Sequence, residues 1–214
     1  MKKTFKFLLF VVLLLLSTSA FAQVEDVHVT SPGPGELVGS NYSNGFFGLH
    51  LSLPQNWIVQ SSEKTRQVTD DTRKTIEGDQ KKLQQLDDSV NRSITLIAMT
   101  KLAVGSPDNA SFMLIAERIG SPGIRTPIDV IHSLEKAFEG TNFNLQKIGE
   151  IETRKISGAE FGAVTFKTTT PAVTVIQKIY ITVKNGYALE LFFTYLNEND
   201  LPTFDSILNT IKIQ

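Results

Sequence analysis

The residue types that most often bind metals or transfer protons do not occur here in the spacings that such chemistry needs. The three histidines stand at positions 28, 50 and 132, far from the short spacings with which paired histidines hold zinc. The absence of cysteine excludes thiolate metal sites, cysteine nucleophiles and disulfides. Gly-x-Ser-x-Gly, His-Glu-x-x-His and phosphate-loop motifs are also absent. We therefore predict no catalytic set, no metal site, no cofactor and no enzyme activity.

A candidate anion site lies where a glycine-containing turn enters a predicted helix. The segment 121–126 (SPGIRT) precedes a helix that begins at Pro127, with Thr126 as its N-cap. Free N–H groups and the helix dipole favour an anion at such a terminus, and the Arg125 guanidinium adds a further contact. Gly123, Arg125 and Thr126 are therefore candidate ligand-binding residues. The alternative is a tight turn with an ordinary N-cap.

The dipeptide Asn185-Gly186 predicts a β-hairpin. It separates two runs of alternating apolar residues, and a two-residue type I′ turn needs positive φ at both central positions. The predicted register pairs Val183 with Ala188 and continues in steps of two. Glu190 then falls on an apolar face, where an unpaired carboxylate would be costly and its pKa would rise. We take Glu190 as a candidate site residue; the alternatives are a partner such as Gln177, or exposure near a sheet end.

The other face of the same hairpin carries a second candidate site. Tyr180, Tyr187 and Tyr195 share it with Lys178 and Lys184, and together these side chains form a candidate ligand groove. The alternative is that the tyrosines cap a core beneath a helix, with the hydroxyl at a wet edge.

Hydrophobic periodicity predicts the elements that position these residues. Runs that alternate apolar and polar residues, or that are apolar on both faces of a strand, predict strands at 46–53, 93–102, 111–119, 146–156, 160–168, 173–184 and 187–196. Apolar residues at helical spacing predict helices at 127–139 and 201–211, and a charged stretch predicts one long, mostly solvated helix at 63–90, with a partner-binding helix as the alternative. This order predicts an α+β class, with a largely antiparallel sheet and helices on both faces, an α/β/α sandwich.

The start of the chain has the plan of a cleaved secretory signal peptide at 1–22. Three lysines precede an apolar run at 7–16, which is much shorter than the roughly 18 to 20 residues of a spanning helix. Ala20 and Ala22 then form a signal-peptidase site, so cleavage is expected after Ala22. Residues 23–41, rich in glycine and proline, are expected to be a flexible tether, and 42–214 one domain.

Charge limits the class of partner. Loss of three lysines with the signal peptide changes the formal net charge from −1 to −4. No basic footprint for nucleic acid remains, and no membrane anchor is expected after cleavage. We expect a secreted or periplasmic monomer whose partner is an unidentified protein or small molecule.

Two segments resemble the PsbP-like family. Residues 42–57 (YSNGFFGLHLSLPQNW) are similar to its opening strand, proline and tryptophan, and residues 187–195 (YALELFFTY) resemble its closing strand. The resemblance is to the exported bacterial members of undescribed function, and it implies an antiparallel sheet between helices. No motif for photosystem, manganese, calcium or Ran binding matches residue by residue, so none of these functions is carried over. The expected function is an exported, non-enzymatic binding or assembly module; the alternative is a carrier or sensor of a small anionic or apolar ligand.

Overall fold

The computed structural model describes residues 32–75, 80–120, 123–138, 145–169 and 173–214. The predicted signal peptide and most of the predicted tether lie outside these ranges. The strands are β1 (Glu36–Val38), β2 (Asn41–Asn44), β3 (Leu49–Ser52), β4 (Ile58–Val59), β5 (Ser93–Thr100), β6 (Ser111–Arg118), β7 (Leu145–Ile156), β8 (Ala159–Thr169), β9 (Thr174–Lys184), β10 (Tyr187–Tyr195) and β11 (Lys212–Ile213). The helices are α1 (Ser62–Thr75), α2 (Gln80–Arg92), α3 (Pro127–Phe138) and α4 (Leu201–Thr210). Among the described helices, none is long and apolar enough to cross a membrane.

The strands form two antiparallel sheets, which confirms the α+β class. The large sheet has the order β4-β5-β6-β10-β9-β8-β7, and the small sheet has the order β1-β2-β3-β11. The prediction of a single sheet is therefore wrong for the first predicted strand, which lies in the small sheet. There β3 pairs with β11, so that Leu49 is opposite Ile213. That pairing joins distant parts of the chain, and local periodicity carries no information about it.

The predicted hairpin is confirmed. Asn185 and Gly186 have φ values of 52° and 80°, as a type I′ turn requires. β9 and β10 pair in the predicted register, from Lys184 opposite Tyr187 to Ile176 opposite Tyr195.

Two apolar clusters lie on the two faces of the large sheet. Alternation along β10 places Phe193 in the first cluster and Phe192 in the second. The first cluster contains Phe204 of α4 together with residues of the small sheet, and the second contains Ile131 of α3. Both faces of the central strands are therefore covered, as their doubly apolar sequences predict.

The predicted tether is ordered over its last residues. β1 and β2 form a hairpin there, the Tyr42 hydroxyl donates to the Pro34 carbonyl at 2.8 Å, and the Asn44 amide donates to the Gly33 carbonyl at 2.9 Å. Within this segment Glu36–Val38 forms the edge strand β1, and Gly39 and Ser40 form the turn to β2. Its order depends on pairing with β3 and on burial of the Tyr42 side chain, which composition does not show.

The prediction of one helix over 63–90 is wrong, because α1 and α2 are separate and fold back on each other. Arg73 Nη2 lies 2.7 Å from Asp87 Oδ1. In one continuous helix, residues 14 positions apart would be about 21 Å apart along the axis. The residues between the helices, 76–79, lie outside the described ranges.

Candidate functional site

The candidate anion site at the start of α3 is an intramolecular cap. Asp129 Oδ2 accepts hydrogen bonds from the backbone N–H groups of Arg125 (3.0 Å) and Thr126 (2.8 Å), and the Asp129 N–H donates to Thr126 Oγ1 (3.2 Å). These bonds hold the pKa of Asp129 below its ordinary value, and the bond from the Arg125 backbone has the largest effect. An anion that binds the backbone N–H groups of Arg125 and Thr126 would have to displace the Asp129 carboxylate. The geometry corresponds to the tight turn with an N-cap, and Gly123 lies exposed ahead of it.

The three tyrosines do not line a common groove. All three are buried in the first apolar cluster. The Tyr187 ring packs against Phe47, with centroids 5.6 Å apart, whereas the Tyr195 ring packs against Phe204 at 5.8 Å. Their apolar rings therefore contribute to the core, which corresponds to the core alternative for this face.

Lys178 and Tyr180 do meet at a small cleft beside α4. Lys178 Nζ lies 5.3 Å from the centroid of the Tyr180 ring, and the cleft has a volume of about 140 Å³. A cavity of that size has room for about one aromatic ring. Its lining residues are Lys178, Tyr180, Phe193, Leu201, Phe204, Asp205 and Leu208.

Glu190 is buried on the predicted apolar face, but Gln177 is not its partner. Gln177 Nε2 donates to Thr194 Oγ1 at 3.1 Å. Glu190 is only 1% exposed, and the nearby Glu117 carboxyl raises its pKa in addition to burial. Glu117 was missed by the sequence analysis, although an acidic residue in the apolar run of β6 is the same signal that singled out Glu190.

The strand register brings the two carboxyls together. Glu117 on β6 is opposite Ala188, and Glu190 on β10 is opposite Ile115. The two glutamates are thus diagonal neighbours on one face of adjacent strands, a spacing that long side chains can span. Glu117 is 7% exposed, and its Oε1 lies 3.6 Å from Arg92 Nε at the end of α2.

Burial dominates the acidity of both groups. It raises the pKa of Glu117 to about 7, against the opposing attraction of Arg92. It also raises the pKa of Glu190 well above the ordinary value, and the Glu117 carboxyl raises it further. The geometry supports binding and release of a proton. Among the described residues, no group of three or more histidine or acidic side chains is placed to hold a metal ion.

A different feature, which the sequence analysis also missed, is an exposed apolar edge of the large sheet. Ile58 and Val59, the two residues of β4, are 46% and 47% exposed, and Leu102 is 42% exposed. Ile58 is opposite Thr100 on β5, and Leu102 lies two residues beyond Thr100. We call these three residues the β4 edge. Strand prediction missed β4 because two residues are too few to show a period.

Comparisons with known proteins identify the fold. No protein-family model and no curated protein matches the sequence. Among solved structures, cyanobacterial PsbP (CyanoP) from Synechocystis sp. PCC 6803 is similar over 87% of this chain and 99% of its own, with a TM-score of 0.52 and 14% identity. LpqN, involved in cell envelope biogenesis of Mycobacterium tuberculosis, is similar over 78% of this chain and 83% of its own, with a TM-score of 0.44 and 13% identity. A Pseudomonas aeruginosa protein of unknown function is similar over 57% of this chain and 81% of its own, with a TM-score of 0.44 and 12% identity. The chain has a PsbP-like fold.

Proposed function

We propose that this chain is an exported, non-enzymatic binding or assembly module that contacts a protein partner through the β4 edge. The observation that supports the proposal is the exposure of two large apolar side chains, Ile58 and Val59, on the edge strand β4, together with exposed Leu102 beyond the end of β5. An exposed apolar sheet edge is a ready template for association, and natural proteins usually protect such edges.

The opposite edge of the same sheet carries charges and a bulge, which the two-residue strand β4 does not have. The edge strand β7 carries charged residues over much of its length, and its pairing with β8 shifts register between Ile148 and Glu152. Gly149 lies inside this irregularity with a φ of 71°. Bulges and charges disfavour edge-to-edge pairing. The contrast supports β4, and not β7, as the edge that a partner covers.

Site-specific crosslinking in the native cells tests the proposal. A photoreactive amino acid at Val59 should crosslink to one recurrent partner, and the secreted protein recovered should begin at Gln23 by intact mass. The matched control is the same amino acid at Ile148, which is 40% exposed on β7 and should crosslink at least tenfold less. Equal crosslinking at both positions, or none at Val59, would count against the β4 edge as the binding surface.

The alternative, a carrier or sensor of a small ligand, is supported by the cleft at Lys178 and Tyr180. The ammonium group at its rim and the aromatic floor suit a small anionic or aromatic molecule. If the Lys178→Met variant loses binding of such a molecule while crosslinking at Val59 is absent, the carrier function is favoured over the assembly function.

A further inference from the structure

We propose that Glu117, Glu190 and Arg92 form a proton-controlled latch between the end of α2 and the large sheet. The two carboxyls lie together on one face of β6 and β10, and Arg92, the last residue of α2, lies beside Glu117. Burial of the neutral carboxyls favours the closed form, and ionisation of Glu117 favours a form in which its carboxyl is hydrated; the attraction of Arg92 opposes this ionisation-driven opening.

The contact between the carboxyls requires a proton. Two buried carboxylates in contact cannot both be ionised at low cost, and a hydrogen bond between them needs a hydrogen on one of the two groups. Glu190 is the deeper of the two, and its Oε1 has no hydrogen-bond partner in the described part of the chain. Glu190 therefore holds its proton more tightly, and Glu117, beside Arg92, is the group that ionises first.

The acidic side chains of α3 have partners elsewhere. On α3, Asp129 caps the helix, and Glu135 pairs with His132 and with Lys147. The residues opposite the pair are uncharged: Ser93 and Thr95 on β5, and, on the β9 side, Ile181 opposite Glu190 and Val183 opposite Ala188. On β6 the neighbouring Arg118 lies at an exposed position of the alternating strand. Arg92 is thus the cation whose attraction acts on Glu117.

Burial has the largest effect on the pKa of Glu117, and it therefore sets the direction of the pH response. A glutamate in water ionises near pH 4.3, whereas the pKa of Glu117 in the closed state is about 7. The stability that the neutral carboxyl contributes is therefore present below about pH 4.3 and is lost as the pH rises toward 7. Any opening at the end of α2 that hydrates Glu117 lowers its pKa, so a rising pH favours opening.

We expect ionisation of Glu117 to affect the helical pair α1–α2, because Arg92 is the last residue of α2. The Arg73–Asp87 ion pair connects α1 to α2, so a change at the end of α2 is passed to both helices. Acidification closes the latch, and neutral or alkaline pH loosens it. The physiological consequence rests on the export proposed above, because a chain outside the buffered cytosol meets such pH changes directly.

The first test is a carboxyl carbon NMR titration of the wild-type mature chain. Two glutamate carboxyls should show midpoints above pH 6, and Arg92→Met should raise the lower of these midpoints further. If every glutamate of the wild type titrates below pH 5.5, the latch does not exist. This measurement needs no substitution at the pair, so a variant that fails to fold cannot obscure it.

The second test is the pH dependence of thermal unfolding and of amide exchange. Between pH 5 and pH 8 the Tm of the wild type should fall by about 5 °C more than that of Glu117→Gln, whose side chain cannot ionise. The amide-exchange rate of residues 90–96 is expressed as the ratio of wild type to Glu117→Gln at the same pH. This ratio should rise at least threefold between pH 5 and pH 8. Glu160→Gln, at an exposed position of the same sheet, serves as the control and should keep the wild-type response. Parallel Tm curves for the wild type, Glu117→Gln and Glu190→Gln would overturn the proposal.

Discussion

Gly48 shows how one residue permits the contact between the β2–β3 turn and the segment at β11. Its φ is 59°, and Gln214 N donates to the Gly48 carbonyl at 3.1 Å. A Cβ atom on Gly48 would lie only 2.6 Å from the Gln214 carbonyl oxygen. Displacing the Gln214 backbone would disturb its hydrogen bond to Gly48 and the bond that its carbonyl accepts from Lys184 Nζ at 2.8 Å. The glycine is therefore favoured by close approach as well as by its φ.

We therefore expect Gly48→Ala to destabilise the domain more than Gly39→Ala. Gly39 has nearly the same φ, 61°, but nothing lies within 4 Å of a Cβ atom there, which makes it a matched control. Gly39→Ala should cost about 1 kcal/mol for the left-handed backbone alone. Gly48→Ala should cost at least about 1 kcal/mol more because it adds a steric overlap. Urea unfolding measures both values; equal losses would show that the contact with Gln214 contributes nothing.

At the scale of elements, the β9–β10 hairpin is where local sequence and tertiary structure agree. Its turn also contacts two other parts of the chain: the Asn185 side chain donates to the Phe46 carbonyl, and the Gly186 carbonyl accepts from Ile119 N at 2.9 Å. The turn thus sets the register of the central strands and connects them to the segment that precedes β3.

The Gly186→Val substitution should destabilise the fold by at least about 1 kcal/mol, because a β-branched residue resists positive φ. No atom lies within 4 Å of a Cβ at Gly186, so the loss would come from the backbone and not from a clash. Asn185→Gly, which keeps the turn and removes only the bond to Phe46, should cost less than Gly186→Val. Thermal unfolding of the three proteins makes the comparison. Coincident melting curves for the wild type and Gly186→Val would contradict the type I′ assignment.

The helical elements show why other local predictions fail. The charge and spacing of 63–90 are compatible with either one helix or two, and the choice depends on contacts such as Arg73 with Asp87. Likewise, the composition between Gly33 and Asn44 is compatible with a flexible tether, and the pairing of β2 with β3 is what orders part of this segment. In both segments the deciding interaction joins residues that a local window does not compare.

At the scale of the whole molecule, stability comes from burial on both faces of one large sheet. A chain of the predicted mature length, about 190 residues, buries roughly 70% of the surface that its unfolded form exposes, which is sufficient without crosslinks. The two apolar clusters provide that burial, and the sequence contains no cysteine.

We expect the Tm of the mature chain to change by less than about 1 °C when a chelator or a reductant is added. A ligand that binds only the folded state raises its Tm, so removal of a tightly bound metal would lower it. The control is re-addition of zinc, calcium or manganese after chelation, which should leave the Tm unchanged. A fall in Tm on chelation that one of these metals reverses would refute a metal-free fold.

The sequence by itself determined the class, most strand positions, the register of β9 with β10, and the burial of Glu190, because each follows from alternation or turn chemistry within one or two neighbouring segments. Only the tertiary structure decided that β3 pairs with β11, that α1 folds back on α2, and that Glu117 is the partner of Glu190. It also decided that β4 is an edge. The reason is physical: periodicity reports which face of an element is buried, whereas the partner across that face is chosen by packing between segments that are far apart in the chain.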